Sequence, residues 1–212
     1  MRTEPSHQDL KAELRKAMRQ RRAAITGSDR PALDEAIRRH LLDWVAVNKP
    51  GVVAAFLAFD GEPDLQPALL EMARQGVRLA LPVILDEPGR AAITLRAWAP
   101  GHRLKPNRFG ILEPEASDRI RLSDIDLVLL PLVAWDELGG RLGMGASFYD
   151  RLLQPVSELP RPLRVGVGYQ VQRAERLPID PWDVRLHMMI SETGCHACGS
   201  GVPPPAALPT ST

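Results

Sequence analysis

Residues 51–84 read GVVAAFLAFDGEPDLQPALLEMARQGVRLALPVI. The first eight form a continuous apolar run of strand length, without polar alternation. That is the pattern of a strand covered on both faces in a parallel sheet. Asp60-Gly61-Glu62-Pro63 is a turn, residues 65–75 are helical, and Gly76 ends the helix. Residues 77–84 are a second buried strand. Strand, helix, strand is a βαβ unit, whose crossover is expected to be right-handed. The class is therefore α/β, and ligands in such sheets bind beyond the C-terminal ends of the strands. That rule puts the turn after Leu57, with Glu62, on the binding edge, although a glutamate in a turn is most often only solvated.

Working outward, residues 8–25 read as a basic helix. Leu10, Leu14, Ala17, Met18 and Ile25 fall near one face and cations cover the rest. Lys11 and Arg15 are four apart and share a face, so they suit a phosphate clamp as well as a solvated surface. A second helix, residues 31–47, follows a cap at Ser28 or Asp29 with Pro31 in its first turn. Residues 93–98 are a strand, with an antiparallel partner in view. Residues 100–114 are read as an irregular loop, long enough to suggest a function. Residues 127–133, 163–169 and 184–190 are further buried strands. From Thr193 on, Gly, Ser, Pro, Ala and Thr dominate. Residues 194–212 are expected to be a disordered tail, its Cys195-His196-Ala197-Cys198 exposed and without a role, since a structural zinc needs four ligands. One domain, residues 7–193, is expected, with a mostly parallel sheet and helices on both faces.

Residues 130–153, LPLVAWDELGGRLGMGASFYDRLL, join a buried strand to a helix start through glycines at 139, 140, 143 and 145. Free backbone amides, the positive end of a helix and the planar fork of Arg141 together suit an anionic phosphate. Asp150 is a hard oxygen ligand of the kind Mg²⁺ takes. General motifs fit imperfectly. Gly140 and Gly145 have Walker A spacing, but Ala146 and Ser147 follow where Lys and Ser/Thr should stand, so the P-loop lysine is missing. Gly143 and Gly145 open a GxGxxG that ends on Phe148. By pattern alone, a plain strand-to-helix turn and a nucleotide site both stand.

The composition narrows the classes. A net charge of +1 gives no global field toward nucleic acid or membrane. The basic N-terminal helix has no interleaved aromatics for stacking on bases. No apolar run approaches the ~20 residues that span a bilayer. The N-terminus is polar with no signal-peptide core, so the cytoplasm is expected. The two cysteines share one CxxC, which excludes a disulfide-stapled secreted fold.

Five segments, in order, carry a resemblance. They are Lys11-Ala-Glu-Leu14-Arg15, the run from Phe56 to Glu62, Phe109-Gly110-Ile111-Leu112-Glu113-Pro114, PLVAWDELGGRLGMGASFYDR at 131–151, and LPIDPWD at 177–183. The chain is similar to the 5-formyltetrahydrofolate cyclo-ligases, or methenyltetrahydrofolate synthetases. The resemblance implies a single three-layer domain of the NagB/RpiA/CoA-transferase-like kind, expected to act as a monomer. It implies ATP- and Mg²⁺-dependent conversion of 5-formyltetrahydrofolate to 5,10-methenyltetrahydrofolate, with release of ADP and phosphate. On this resemblance Lys11 and Arg141 are the catalytic cations. ATP is held by Lys11, Arg15, Arg141, Leu142, Gly143, Met144, Gly145, Ala146, Ser147, Phe148 and Tyr149. Leu57, Glu62, Met144, Phe148 and Tyr149 contact the folate, and Asp150 with Asp183 ligates Mg²⁺. No nucleic-acid or membrane partner is implied. The family's triple glycine is here Gly145-Ala146-Ser147. If a positive φ is needed at either substituted position, that residue is strained. This departure leaves a non-catalytic folate- or nucleotide-binding relative as the alternative.

Overall fold

The computed structural model describes residues 6–87 and 90–199. Its helices and strands, in chain order, begin with α1 (His7–Ala23), α2 (Arg30–Asn48), β1 (Val52–Ala54) and α3 (Gln66–Arg74). The middle of the chain supplies β2 (Arg78–Glu87), β3 (Arg90–Trp98), β4 (Leu104–Pro106), β5 (Leu112–Pro114) and β6 (Arg119–Ile120). Then come β7 (Leu127–Pro131), β8 (Ala134–Trp135), β9 (Arg141–Leu142), α4 (Phe148–Leu153), β10 (Leu163–Val167), β11 (Met188–Ser191) and β12 (Gly194–Ala197). Eight strands form the main sheet in the order β12-β11-β10-β7-β1-β2-β3-β6. The five from β11 to β2 run parallel, and β1, α3 and β2 are the expected βαβ unit. The outer strands β12, β3 and β6 are antiparallel.

Period-two alternation gives each central strand two buried faces. Val53, Leu79, Leu127 and Leu129 meet Ile37 and Leu41 of α2 and Leu69 and Met72 of α3 on one side. Val52, Ala54, Ala80, Val128 and Leu130 meet Leu153 of α4, Trp135, Val184 and Leu186 on the other. The result is the three-layer α/β domain with helices on both faces. α1 belongs to neither layer. Its Met18 and Leu14 pack on Val133, Ala134, Leu142 and Leu177, beyond the end of β7. No helix among the described residues is long and apolar enough to cross a membrane.

Four expectations are corrected. β1 stops at Ala54, although the apolar run continues, because the chain leaves the sheet after the Ala55 amide bonds Ala80 O. Residues 100–114 are not irregular throughout: β4 and β5, three residues each, pair as an antiparallel hairpin. The tail does not begin at 194. Residues Gly194–Ala197 add an edge strand to β11, which supplies partners that an open edge would lack. The two cysteines of the CxxC are not exposed either. Cys195 packs against the α2 side of the sheet and Cys198 is buried on the α4 side, because a spacing of three in a strand reverses the face. Burial pushes the Cys195 thiol up to about 11 and the Cys198 thiol up to about 12. Most of the expected tail, residues 200–212, lies outside the described residues.

Candidate active site

A cleft of about 850 Å³ opens where Phe56 and Leu57 leave β1 and where Pro131 and Leu132 end β7. α1 lies along one side of it and supplies cations. Its start is fixed by a capping box, with Asp9 N donating to Ser6 Oγ and Ser6 N donating to Asp9 Oδ2. Lys11 is 7% exposed, and its Nζ donates to Asp180 Oδ2 at 2.7 Å and Asp183 Oδ2 at 2.6 Å. Burial opposes the ammonium charge, but the two carboxylates outweigh it and raise the lysine pKa. The Lys11 hydrogen bond in turn holds Asp180 below the usual carboxylate range. Arg15 Nε donates to Gly143 O at 2.9 Å, tying α1 to the glycine loop. Arg22, 1% exposed, donates to Leu132 O and Asp60 Oδ2, which fixes the turn that carries Glu62.

The glycine stretch divides into a structural and a ligand-facing part. Buried Asp136 accepts from Leu138 N, Gly140 N and Leu177 N, and so shapes the β8–β9 turn. A Cβ at Gly140 would lie 2.6 Å from Asp136 Oδ2, and one at Gly139 would lie 2.6 Å from Leu186 O. These two glycines are there for close packing. Beyond β9, the amide N–H groups of residues 143–147 take no hydrogen-bond partner among the described residues. Ser147 has φ 50° and ψ 30°, the left-handed region, while Ala146 has no positive φ. The strain of the substituted loop therefore falls on Ser147 alone. α4 is six residues long, too short to supply much of the dipole that a longer helix would bring. The cradle consists of free amides and arginines.

Arg141, almost fully buried, donates from Nη2 to Asp150 Oδ1, and its Nε finds no partner among the described residues. Asp150 Oδ1 also accepts from Val184 N at 3.2 Å. The Arg141 guanidinium lies 6.0 Å from the centre of the Tyr149 ring. Across the cleft, Glu62 Oε2 accepts from Phe59 N at 3.1 Å. Its immediate surroundings are dense although part of its surface remains open to the cleft. Burial raises its carboxyl to about 7, with the Phe59 amide and Arg22 opposing and Asp60 adding to the rise. The Tyr149 hydroxyl is raised too, by burial and then by the charge of Glu62. Leu57, Phe59, Leu81, Ile84 and Ile93 give this half an apolar wall.

Every residue that the resemblance assigns to ATP, folate or Mg²⁺ lines this one cleft: Lys11, Arg15, Leu57, Glu62, the run from Arg141 to Asp150, and Asp183. The expected metal ligands are both engaged by cations, Asp150 by Arg141 and Asp183 by Lys11. No group of three or more His, Cys, Asp or Glu side chains is poised for a metal among the described residues. Asp180 and Trp182, inside the recognised LPIDPWD segment, also line the cleft and were not singled out. Their signal was proximity to Asp183 in a proline-constrained connection. Phe109 of the β4–β5 hairpin, about half exposed, stands at the same opening.

The model of the 5-formyltetrahydrofolate cyclo-ligase family matches residues 7–192. The chain belongs to that family. It is an enzyme by that membership. It is 36% identical over 176 residues to the 5-formyltetrahydrofolate cyclo-ligase of Escherichia coli (strain K12), covering 82% of this chain and 96% of that one. Identity to the Haemophilus influenzae cyclo-ligase is 33% over 184 residues, 84% of this chain and 94% of that one. The NMR structure of Aquifex aeolicus 5,10-methenyltetrahydrofolate synthetase superposes with a TM-score of 0.76 at 32% identity, covering 95% of this chain and all of that one.

Proposed function

We propose that the chain catalyses the ATP- and Mg²⁺-dependent cyclisation of 5-formyltetrahydrofolate to 5,10-methenyltetrahydrofolate, releasing ADP and phosphate. One observation carries the reading: a phosphate-type donor set and an apolar pocket with a carboxyl meet in one cleft. The donor set is Lys11, Arg15, Arg141 and the amides of residues 143–147, which have no partner among the described residues. The pocket is walled by Leu57 and Phe59 and holds Glu62. Its size lies within the range of small-molecule sites.

The N-formyl oxygen is a poor leaving group. Arg141 and the loop amides stabilise the γ-phosphoryl as it passes to that oxygen, the task of charge neutralisation in phosphoryl transfer. Arg141 Nε fits this role, being a buried donor that lacks an acceptor among the described residues. Lys11 and Arg15 hold the remaining phosphates. N10 of the same substrate then attacks the formyl carbon and loses its proton, and the carbon–oxygen bond breaks as phosphate leaves. Ring closure is intramolecular, so positioning replaces a protein nucleophile. Glu62 accepts from the pterin's donor nitrogens, with Leu57, Met144, Phe148 and Tyr149 flanking the rings. Mg²⁺, when bound by Asp150 and Asp183, would neutralise phosphate charge; both are hard oxygen donors that fit it. A monomer in the cytoplasm completes the reading.

Mixing protein, ATP, Mg²⁺ and 5-formyltetrahydrofolate should raise the methenyltetrahydrofolate absorbance. No ATP-dependent rise would overturn the assignment.

A further inference from the structure

The cations lining the cleft are unequally compensated. Arg15 meets no carboxylate among the described residues and holds a loop carbonyl instead. Arg141 has one carboxylate, Asp150. Lys11 has two, Asp180 and Asp183, and both contacts are short. Lys11 neutralises only one of these two carboxylates, on the wall of a cleft read as a phosphate site; Asp180 Oδ1 also lies 3.4 Å from Nδ1 of the exposed His7 ring. Asp183 already gives the lysine one carboxylate partner at 2.6 Å. Asp180 is the second carboxylate on it, with a side chain 20% exposed.

We propose that Asp180 is a specificity-determining residue that makes this subsite accept the magnesium complex of a nucleoside triphosphate and reject the free triphosphate. This rests on the nucleotide reading above. A free triphosphate meets the surplus carboxylate charge and is repelled. The magnesium complex carries about half the charge, so it feels about half the repulsion. It also brings a cation to which Asp183 can turn, and Asp180 then keeps Lys11 from swinging away. Discrimination of this kind is built from an unfavourable contact with the wrong ligand, not from a better one with the right ligand. Asp180 stands outside the set assigned to the chemistry, and its contact with the ligand is through Lys11.

The test is binding, not turnover. Isothermal titration with ATP in excess EDTA, and again in excess Mg²⁺, gives a ratio of dissociation constants for each protein. In the wild type the free form should bind far more weakly. Asp180→Asn should shrink the ratio about tenfold, chiefly by tightening the free form, the size expected for one partly screened charge. Asp180→Glu should restore it. Asp124→Asn, an exposed carboxylate paired with Arg121 outside the cleft, should leave it unchanged. Asp180→Asn leaves Lys11 paired with Asp183, so the thermal midpoint should hold within a few degrees. An unchanged ratio in Asp180→Asn overturns the proposal. Equal weakening of both forms also overturns it, since Asp180 would then only anchor α1. Wild type that binds ATP in neither condition overturns the nucleotide reading itself, an outcome that the variants cannot mimic.

Discussion

At the residue scale, Glu62 and Ser147 are each held in an unusual state. The Glu62 carboxyl, raised to about 7, binds a proton across a range where an exposed glutamate has lost it. Its folded form therefore holds more protons than the unfolded one between about 4.5 and 7, and its contribution to stability falls as pH rises through that window. Substrate affinity should follow the same group. The KM for 5-formyltetrahydrofolate is expected to inflect near pH 7 in the wild type and to lose that inflection in Glu62→Gln; an identical profile in both would remove Glu62 from the pterin pocket. Ser147 shows a different cost. A non-glycine residue at φ 50° is strained by roughly 1 kcal/mol, partly offset by the larger unfolded-state entropy of glycine. Ser147→Gly should raise the melting temperature slightly, and Ser147→Val, β-branched, should lower it by several degrees. If both lower it equally, the hydroxyl of Ser147 matters more than its backbone.

At the scale of elements, the buried strands were legible because apolar residues on both faces leave an unbroken run. The βαβ unit at 51–84 could be read from that pattern alone. β12 could not. Gly-Cys-His-Ala has no alternation, and what makes it a strand is the open edge of β11, a property of a distant segment. The β4–β5 hairpin was missed for a related reason: three-residue strands lie below the length at which periodicity speaks. The pairing of Lys11 with Asp180 and Asp183 joins the two ends of the chain, and no local pattern encodes it. The two cysteines give this scale its test. Because they serve opposite faces of the sheet with raised thiol pKa values, the native protein treated with a mild oxidant should retain two titratable thiols once unfolded. Recovery of none would mean that β12 detaches and lets them pair.

At the scale of the whole molecule, the interior sets an acid limit. His187, 8% exposed, precedes β11 and packs against Arg164 of β10. The backbone amide of Arg164 donates to Nδ1, and its guanidinium lies beside Nε2, so neither ring nitrogen faces an acceptor for an added proton. Burial first, and then the arginine charge, depress the imidazole to about 4. The folded state holds this ring neutral where the unfolded state would protonate it. The stability it contributes is complete above pH 6.5 and is lost as pH falls toward 4, by up to about 3 kcal/mol. Glu62 has the opposite sign over nearly the same range, so the wild-type curve is flattened by compensation. Replacing each in turn separates them. Denaturant titrations from pH 7 to pH 4 should show Glu62→Gln losing stability more steeply than wild type. His187→Gln, less stable at pH 7 through its altered packing, should lose less on acidification. Parallel curves for all three proteins would mean that the acid limit lies elsewhere in the core.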